Sequence, residues 1–277
     1  MARYNVATML LTVDIGNTNV TLGAFDGERL VASWRTATDA HRQADEYALQ
    51  LQGLLPLKGV HVEDIDAVAL CSVVPPLTSI FDEVARALFH DAPLIVGTGT
   101  KTGVRIMYDS PRDVGADRVV DAAAAYHIYG GPAIVVDFGT ATVFDAISAD
   151  GAYLGGSIFP GVSIASESLF LRTSQLRRVD FQAPPAAIGK NTVHAIQSGL
   201  VFGYAGVVEA LVARFKRELE APEATVIATG GLAALMAGHT AAIDIVDQDL
   251  TLQGLRLIHA LNVDAAPFAP ADLKGQL

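Results

Sequence analysis

Apolar positions along this chain switch between a period of two and a period near 3.6, and the switches come in the same order twice. Apolar runs bounded by turn residues predict strands over 9–13, 20–25 and 30–34, then a helix over 44–55. A strand over 67–71 follows. After Pro75-Pro76, residues Leu77, Ile80, Phe81, Val84 and Leu88 recur at helical spacing, and Pro93 precedes a short strand ending at Val96. The second half predicts a helix over 117–129, three strands within 133–158 and a long helical stretch over 191–219. A strand over 225–228 then runs through Thr229-Gly230-Gly231 into another helix.

The repetition extends to the letters. Around Asp14 the chain reads LLTVDIGNTNVTLGAFDGERL, and around Asp137 it reads AIVVDFGTATVFDAISADGAYL. The strings match without a gap from Asp14/Asp137 to Ala24/Ile147, and one inserted residue then sets Asp26-Gly27 against Asp150-Gly151. Each copy has the pattern of a buried strand, a tight turn that glycine permits, and a hairpin return. Asp-Gly and Gly-Asn are common turn formers in any protein. Here the same turn also gathers backbone N–H groups, a hydroxyl, an amide and a carboxylate, with Gly16 allowing a ligand close to the backbone. Such donors suit phosphate oxygens, and the carboxylate can orient the Mg²⁺ that accompanies a nucleotide.

A duplicated β-β-β-α-β-α plan resembles the paired ribonuclease H-like domains of actin, sugar kinases and heat-shock ATPases, an α/β fold whose two domains face a central nucleotide cleft. The expected division is 9–118 for the first domain, carrying the first phosphate loop, and 119–265 for the second. The second would carry the other phosphate loop and an adenosine-side turn at Gly230-Gly231, and 266–277 is expected to be a flexible tail.

Composition narrows the function classes. The 277 residues are 51% hydrophobic and carry a net charge of −11, which disfavours nucleic acid as a partner, because phosphate-backbone binding needs clustered Lys and Arg. Cys71 is the single cysteine, so no disulfide framework or thiolate metal site is available, as suits the cytoplasm. The run before Asp14 is interrupted by Thr8 and Thr12 and reads as a strand, and no other segment reads as a membrane span, since charges or turn residues break each one.

Rival signatures fail. The nearest Walker-like stretch, Gly156 to Ser163, has Val162 at the lysine position, and Gly97 and Gly99 begin a dinucleotide fingerprint whose third glycine is Thr102. The seven histidines have no zinc spacing, and Gly161-Val162-Ser163 closes on Ala165 where a hydrolase elbow has glycine. Between the halves stand Tyr108 and then Gly115-Ala116-Asp117-Arg118, ahead of a helix. Asp117 at that helix's start can be a cap or a catalytic carboxylate, and Arg118 can pair with Asp121 or bind a ligand.

The strings DIGNTNVTLGAFD, GADR, DFGTATVFD, LGGSIFPGV, IGKNT and IATGG, in this order, resemble type III pantothenate kinase over about residues 10–262. The resemblance implies an ATP-dependent kinase that phosphorylates pantothenate in the first step of coenzyme A biosynthesis. Asp14, Ile15, Gly16, Asn17, Thr18, Asn19, Val20 and Thr21 match the first phosphate loop. Thr140 matches a nucleotide contact, and Asp137 a site for K⁺ or NH₄⁺. Tyr108, Gly115, Ala116, Asp117, Arg118 and Thr192 match the pantothenate contacts, with Asp117 as general base and Arg118 suited to a bidentate grip on the substrate carboxylate. Some relatives carry Lys where this chain has Thr21, so no charged contact is expected there. The leader from Met1 to Met9 precedes the family's usual start, so both Met1 and Met9 stay open as the initiator. The resemblance also implies a homodimer, and the stretch 191–219 can be its interface or plain core, with the pattern favouring core. Two other readings stay open: a kinase of the same fold acting on another alcohol, and a non-catalytic nucleotide-gated interaction protein. The chain is short for an actin, and the intact GADR string speaks against the second.

Overall fold

The computed structural model describes residues 9–263; the leader over 1–8 and the tail expected over 266–277 lie outside the described residues. Three strands form an antiparallel meander at the start: β1 (Met9–Ile15), β2 (Asn19–Asp26) and β3 (Arg29–Ala37). Helix α1 (Ala44–Leu54) leads to β4 (Ile65–Ser72), which lies parallel to β1, and α2 (Pro75–Phe89) leads to the short β5 (Leu94–Ile95). The sheet order is β3-β2-β1-β4-β5. Alternation places Leu11, Val13 and Ile15 of β1 on one face, where they pack with Tyr47 and Leu51 of α1 and Leu77 and Phe81 of α2. The Tyr47 and Phe81 rings meet at 4.8 Å. Each such fully buried side chain contributes roughly 1.5–3 kcal/mol.

The plan recurs in β7 (Ala133–Phe138), β8 (Ala141–Ile147), β9 (Ala152–Pro160), α5 (Thr192–Glu218), β10 (Thr225–Thr229), α6 (Ala233–Ala237) and β11 (Ile245–Val246). Their sheet runs β11-β10-β7-β8-β9-β6, the first sheet's order with one added edge strand, β6 (Arg105–Ile106). Preceding and interrupting this set are α3 (Ala116–Tyr129) and α4 (Val162–Arg172), and α7 (Leu250–Val263) closes the described chain. One face of the stretch expected over 191–219 is core: Ile196, Leu200, Tyr204, Val208 and Val212 of α5 pack with Ile134, Val136, Phe138 and Phe144 of the sheet. By length and composition alone, α5 is apolar enough to cross a membrane, against the expectation that charges or turn residues break every such stretch; its buried face belongs to this core.

Two findings add to the sequence reading. Among the described residues, one compact unit comprises 9–103, Arg112–His127 and 251–263, and the other comprises Val104–Pro111 and Ile128–Leu250. Packing explains it. Leu252 of α7 joins Leu10, Phe25 and Ala69 on the first sheet's other face, and Thr251 Oγ1 donates to the buried Asp121 of α3 at 2.7 Å. At Gly254 a Cβ would lie 2.5 Å from the Val120 carbonyl oxygen, so glycine lets α7 press against α3. Secondly, the ungapped letters conceal a register change. Asp14 pairs with Thr21 across the first hairpin, whereas Asp137 pairs with Val143 across the second, so the second turn is one residue tighter.

Candidate active site

Both motif aspartates are penultimate in their strands. Asp14 of β1 pairs with Thr21 of β2 and, in parallel register, with Cys71 of β4. The Cys71 thiol donates to Asp14 Oδ1 at 3.4 Å. Beyond Asp14 the chain turns through a bond from the Gly16 N–H to the Asn19 carbonyl at 3.0 Å. A Cβ on Gly16 would stand 3.2 Å from that carbonyl oxygen, so any larger residue would have to push the turn back by a few tenths of an ångström. Thr38, just past β3, clamps the loop from outside: its hydroxyl donates to the Gly16 carbonyl at 2.6 Å and its N–H to the Thr18 carbonyl at 3.0 Å. Asn17 and Thr18 are thereby held exposed. Ile15 and Val20, expected among the phosphate contacts, have side chains fully buried in the core, so they can offer a ligand only backbone.

The start of α3 lies in the same compact unit. Gly115 precedes the helix, accepts the Val119 N–H at 3.2 Å, and makes room for Asp117: a Cβ there would sit 2.5 Å from Asp117 Oδ1 and 3.6 Å from Val73 Cγ1. Val73 donates its N–H to the Ile15 carbonyl at 3.1 Å, which ties the exit of β4 to the exit of β1. Asp117 is the second helical residue, not the cap itself, and its Oδ1 accepts the Arg118 N–H at 2.8 Å. It thus satisfies one free donor of the first turn and remains partly exposed.

Electrostatics links the two carboxyls. Burial, then the nearby Asp117 carboxylate, push the pKa of Asp14 up to about 7, against the Cys71 hydrogen bond and the Arg35 charge, which pull it down. Asp117 is also raised, mainly by burial, with the Arg118 N–H and guanidinium opposing. Both carboxyls are thus displaced toward the protonated form, Asp14 in part by the charge of Asp117. Burial and the negative charge of Asp14 keep Cys71 a neutral thiol, which preserves it as a donor.

The second unit holds the other motif. Asp137 pairs with Thr229 of β10, the position equivalent to Cys71, and Gly230 follows with φ 87°. A Cβ on Gly230 would fall 2.3 Å from Asp137 Oδ1, and one on Gly139 would fall 3.1 Å from Oδ2. Two glycines therefore leave backbone bare around this carboxylate. At Gly161, the cap of α4, a Cβ would be 2.1 Å from the Thr140 carbonyl oxygen. Tyr108 lies in this unit too, its ring against Gly155 and 6.3 Å from the Tyr153 ring. Thr192 opens α5, capped by Asn191, whose side chain accepts the His194 N–H at 2.9 Å.

A family model described as type III pantothenate kinase matches residues 10–214. The chain belongs to the type III pantothenate kinase family. A Dehalococcoides mccartyi protein of that name is 51% identical over 253 residues, covering 91% of this chain and 98% of its own length. A Streptomyces avermitilis protein of the same name is 52% identical over 262 residues, covering 92% and 99%. A solved ROK hexokinase from Thermus thermophilus superposes with a TM-score of 0.51 at 13% identity, covering 93% of this chain and all of that one, which speaks to the fold alone. The fold is that of the actin-like ATPases and ROK sugar kinases, as expected.

In this type III pantothenate kinase family member, the structure gathers Asp14, the first loop, and Gly115 to Arg118 in the first unit. It gathers Asp137, Thr140 and Gly230-Gly231 in the second, together with Tyr108 and Thr192. Sequence reading missed Thr38 and the part played by Cys71. A threonine after a strand carries no signal of its own, and a single cysteine reads as core until its register partner is known.

Proposed function

We propose that this chain transfers the γ-phosphoryl group of ATP to the hydroxyl of pantothenate, giving 4'-phosphopantothenate in the first step of coenzyme A biosynthesis. The observation that carries the reading is membership of the type III pantothenate kinase family together with a carboxyl, Asp117, at a helix start in the same compact unit as the Asp14 turn. Asp117 serves as general base, accepting the alcohol proton as the bond to phosphorus forms. Its raised pKa brings it nearer neutrality, where a base is most effective. Arg118 grips the pantothenate carboxylate through a bidentate pair, with Tyr108, Gly115, Ala116 and Thr192 completing the acceptor contacts.

The first loop presents backbone N–H groups and the hydroxyl and amide groups of Asn17, Thr18 and Asn19 to phosphate oxygens. Thr140, Gly230 and Gly231 contact the nucleotide. Asp14 suits Mg²⁺, since a crowded, desolvated carboxyl pair is what a hard cation would relieve, and Asp137 suits K⁺ or NH₄⁺, since bare glycine backbone surrounds it. When bound, these cations offset charge on the phosphates, as this chain has no Walker lysine to do so.

The working form in this reading is a cytoplasmic homodimer with no nucleic-acid or membrane partner. Exposed apolar residues of β9 and α4, Ile158 at 66% and Leu171 at 64%, support the dimer. The decisive assay measures ADP formation from ATP with and without pantothenate. No pantothenate-dependent ADP would sink the reading.

A further inference from the structure

The register of the first sheet places Cys71, Asp14, Thr21 and Arg35 side by side on β4, β1, β2 and β3. Directly paired residues point to the same face of a sheet. The opposite face at this level belongs to the core, where Ile15, Val20 and Trp34 are buried. Arg35 therefore stands on the face of Asp14. It is exposed, and among the described residues it forms no ion pair or side-chain hydrogen bond. Its charge nevertheless reaches Asp14, where it favours the ionised carboxylate.

The end of β3 is also the outer wall of the phosphate loop. Three residues beyond Arg35, Thr38 makes both clamp bonds, to the Gly16 carbonyl at 2.6 Å and the Thr18 carbonyl at 3.0 Å. The loop itself, residues 14–21, contains neither Lys nor Arg. A polyphosphate on those N–H groups needs positive charge nearby, and Arg118 is already assigned to the acceptor carboxylate.

We propose that Arg35 supplies that charge, its guanidinium contacting the polyphosphate of the nucleotide held by the first loop. This assignment rests on the kinase reading, and it adds a binding residue from a strand outside the loop motif. A guanidinium can bridge two phosphate oxygens with a planar fork, which an ammonium at the same site cannot reproduce.

The test uses the full chain and measures binding of Mg²⁺·AMP-PNP by calorimetry without pantothenate, so it is independent of acceptor identity. Arg35→Ala should raise the Kd roughly tenfold or more, the scale of a lost charge-assisted contact. Arg35→Lys should bind between the two. Arg35→Ala combined with Thr21→Lys, which returns a charge one strand inward, should recover part of the loss. The melting temperature should not move, because Arg35 is exposed. A Kd for Arg35→Ala within about twofold of wild type would overturn the proposal. So would an Arg35→Lys that binds no better than Arg35→Ala. If wild type instead binds Mg²⁺·AMP-PNP and Arg35→Ala weakens it, but no pantothenate-dependent ADP forms, Arg35 stands and the acceptor assignment alone fails.

Discussion

The thiol of Cys71 donates to the carboxylate of Asp14 across a parallel strand pair, 3.4 Å apart, where two strands end together. The contact favours the ionised carboxylate at a position where burial and Asp117 favour the protonated one. The outcome is an aspartate poised near neutrality, with its pKa at about 7.

That balance has a consequence for stability. Because the folded pKa lies above the ordinary 3.8, the folded chain without ligands holds a proton that the unfolded chain has released between those values. Stability should therefore fall as pH rises from about 4 to 7 and level off above. Asp117 acts with the same sign. Asp14→Asn should flatten the fall, so that the variant melts higher than wild type at pH 8 without Mg²⁺ or nucleotide, while losing turnover. Equal pH slopes for the two proteins in thermal melts would contradict this.

Asp117→Asn separates a base from a cap. The amide oxygen can still accept the Arg118 N–H, so the helix start should survive, while the proton acceptor is lost. Turnover is expected to fall by roughly two to four orders of magnitude with little change in melting temperature. A folded variant with near wild-type turnover would remove Asp117 from the base role.

Asp137 is testable through ions. Activity should rise when K⁺ or NH₄⁺ replaces Na⁺, and Asp137→Asn should weaken that response more than it weakens pantothenate binding. Initial rates in ammonium-free Na⁺ and K⁺ buffers decide the matter, and equal rates in wild type would count against the site.

For Arg118, Lys should be a poor replacement. If a planar fork holds the substrate carboxylate, Arg118→Lys should raise KM for pantothenate clearly and leave KM for ATP nearly unchanged. Thr192→Val should act in the same direction, by about 0.5–1.5 kcal/mol for one hydroxyl hydrogen bond. Pantothenol, which lacks the carboxylate, should be a poor substrate and should distinguish little between wild type and Arg118→Lys. Phosphorylation of pantothenol as fast as pantothenate would move Arg118 out of the acceptor pocket.

Strand and helix periods, glycine turns and the repeated Asp-x-Gly string were legible in the chain because each is a local matter. Alternation along β1 puts Leu11, Val13 and Ile15 on one face whatever surrounds it, and Asp14 must then fall on the other. The same locality made α7 illegible. In LTLQGLRLIHALNV the apolar positions open with strand-like alternation, and what makes it a helix on the first sheet is contact with residues more than a hundred positions away, such as Asp121 with Thr251. The two edge strands β6 and β11 have two residues each, too few for any period to show. Register was likewise invisible: two strings that align letter for letter close hairpins of different lengths, since the pairing depends on where each loop closes. The sequence alone therefore determined which residue types end β1 and β7. Only the tertiary structure decided which neighbours surround them, because Cys71, Arg35, Thr38 and Asp117 reach the Asp14 loop through sheet register and helix packing, and neither leaves a mark in local sequence.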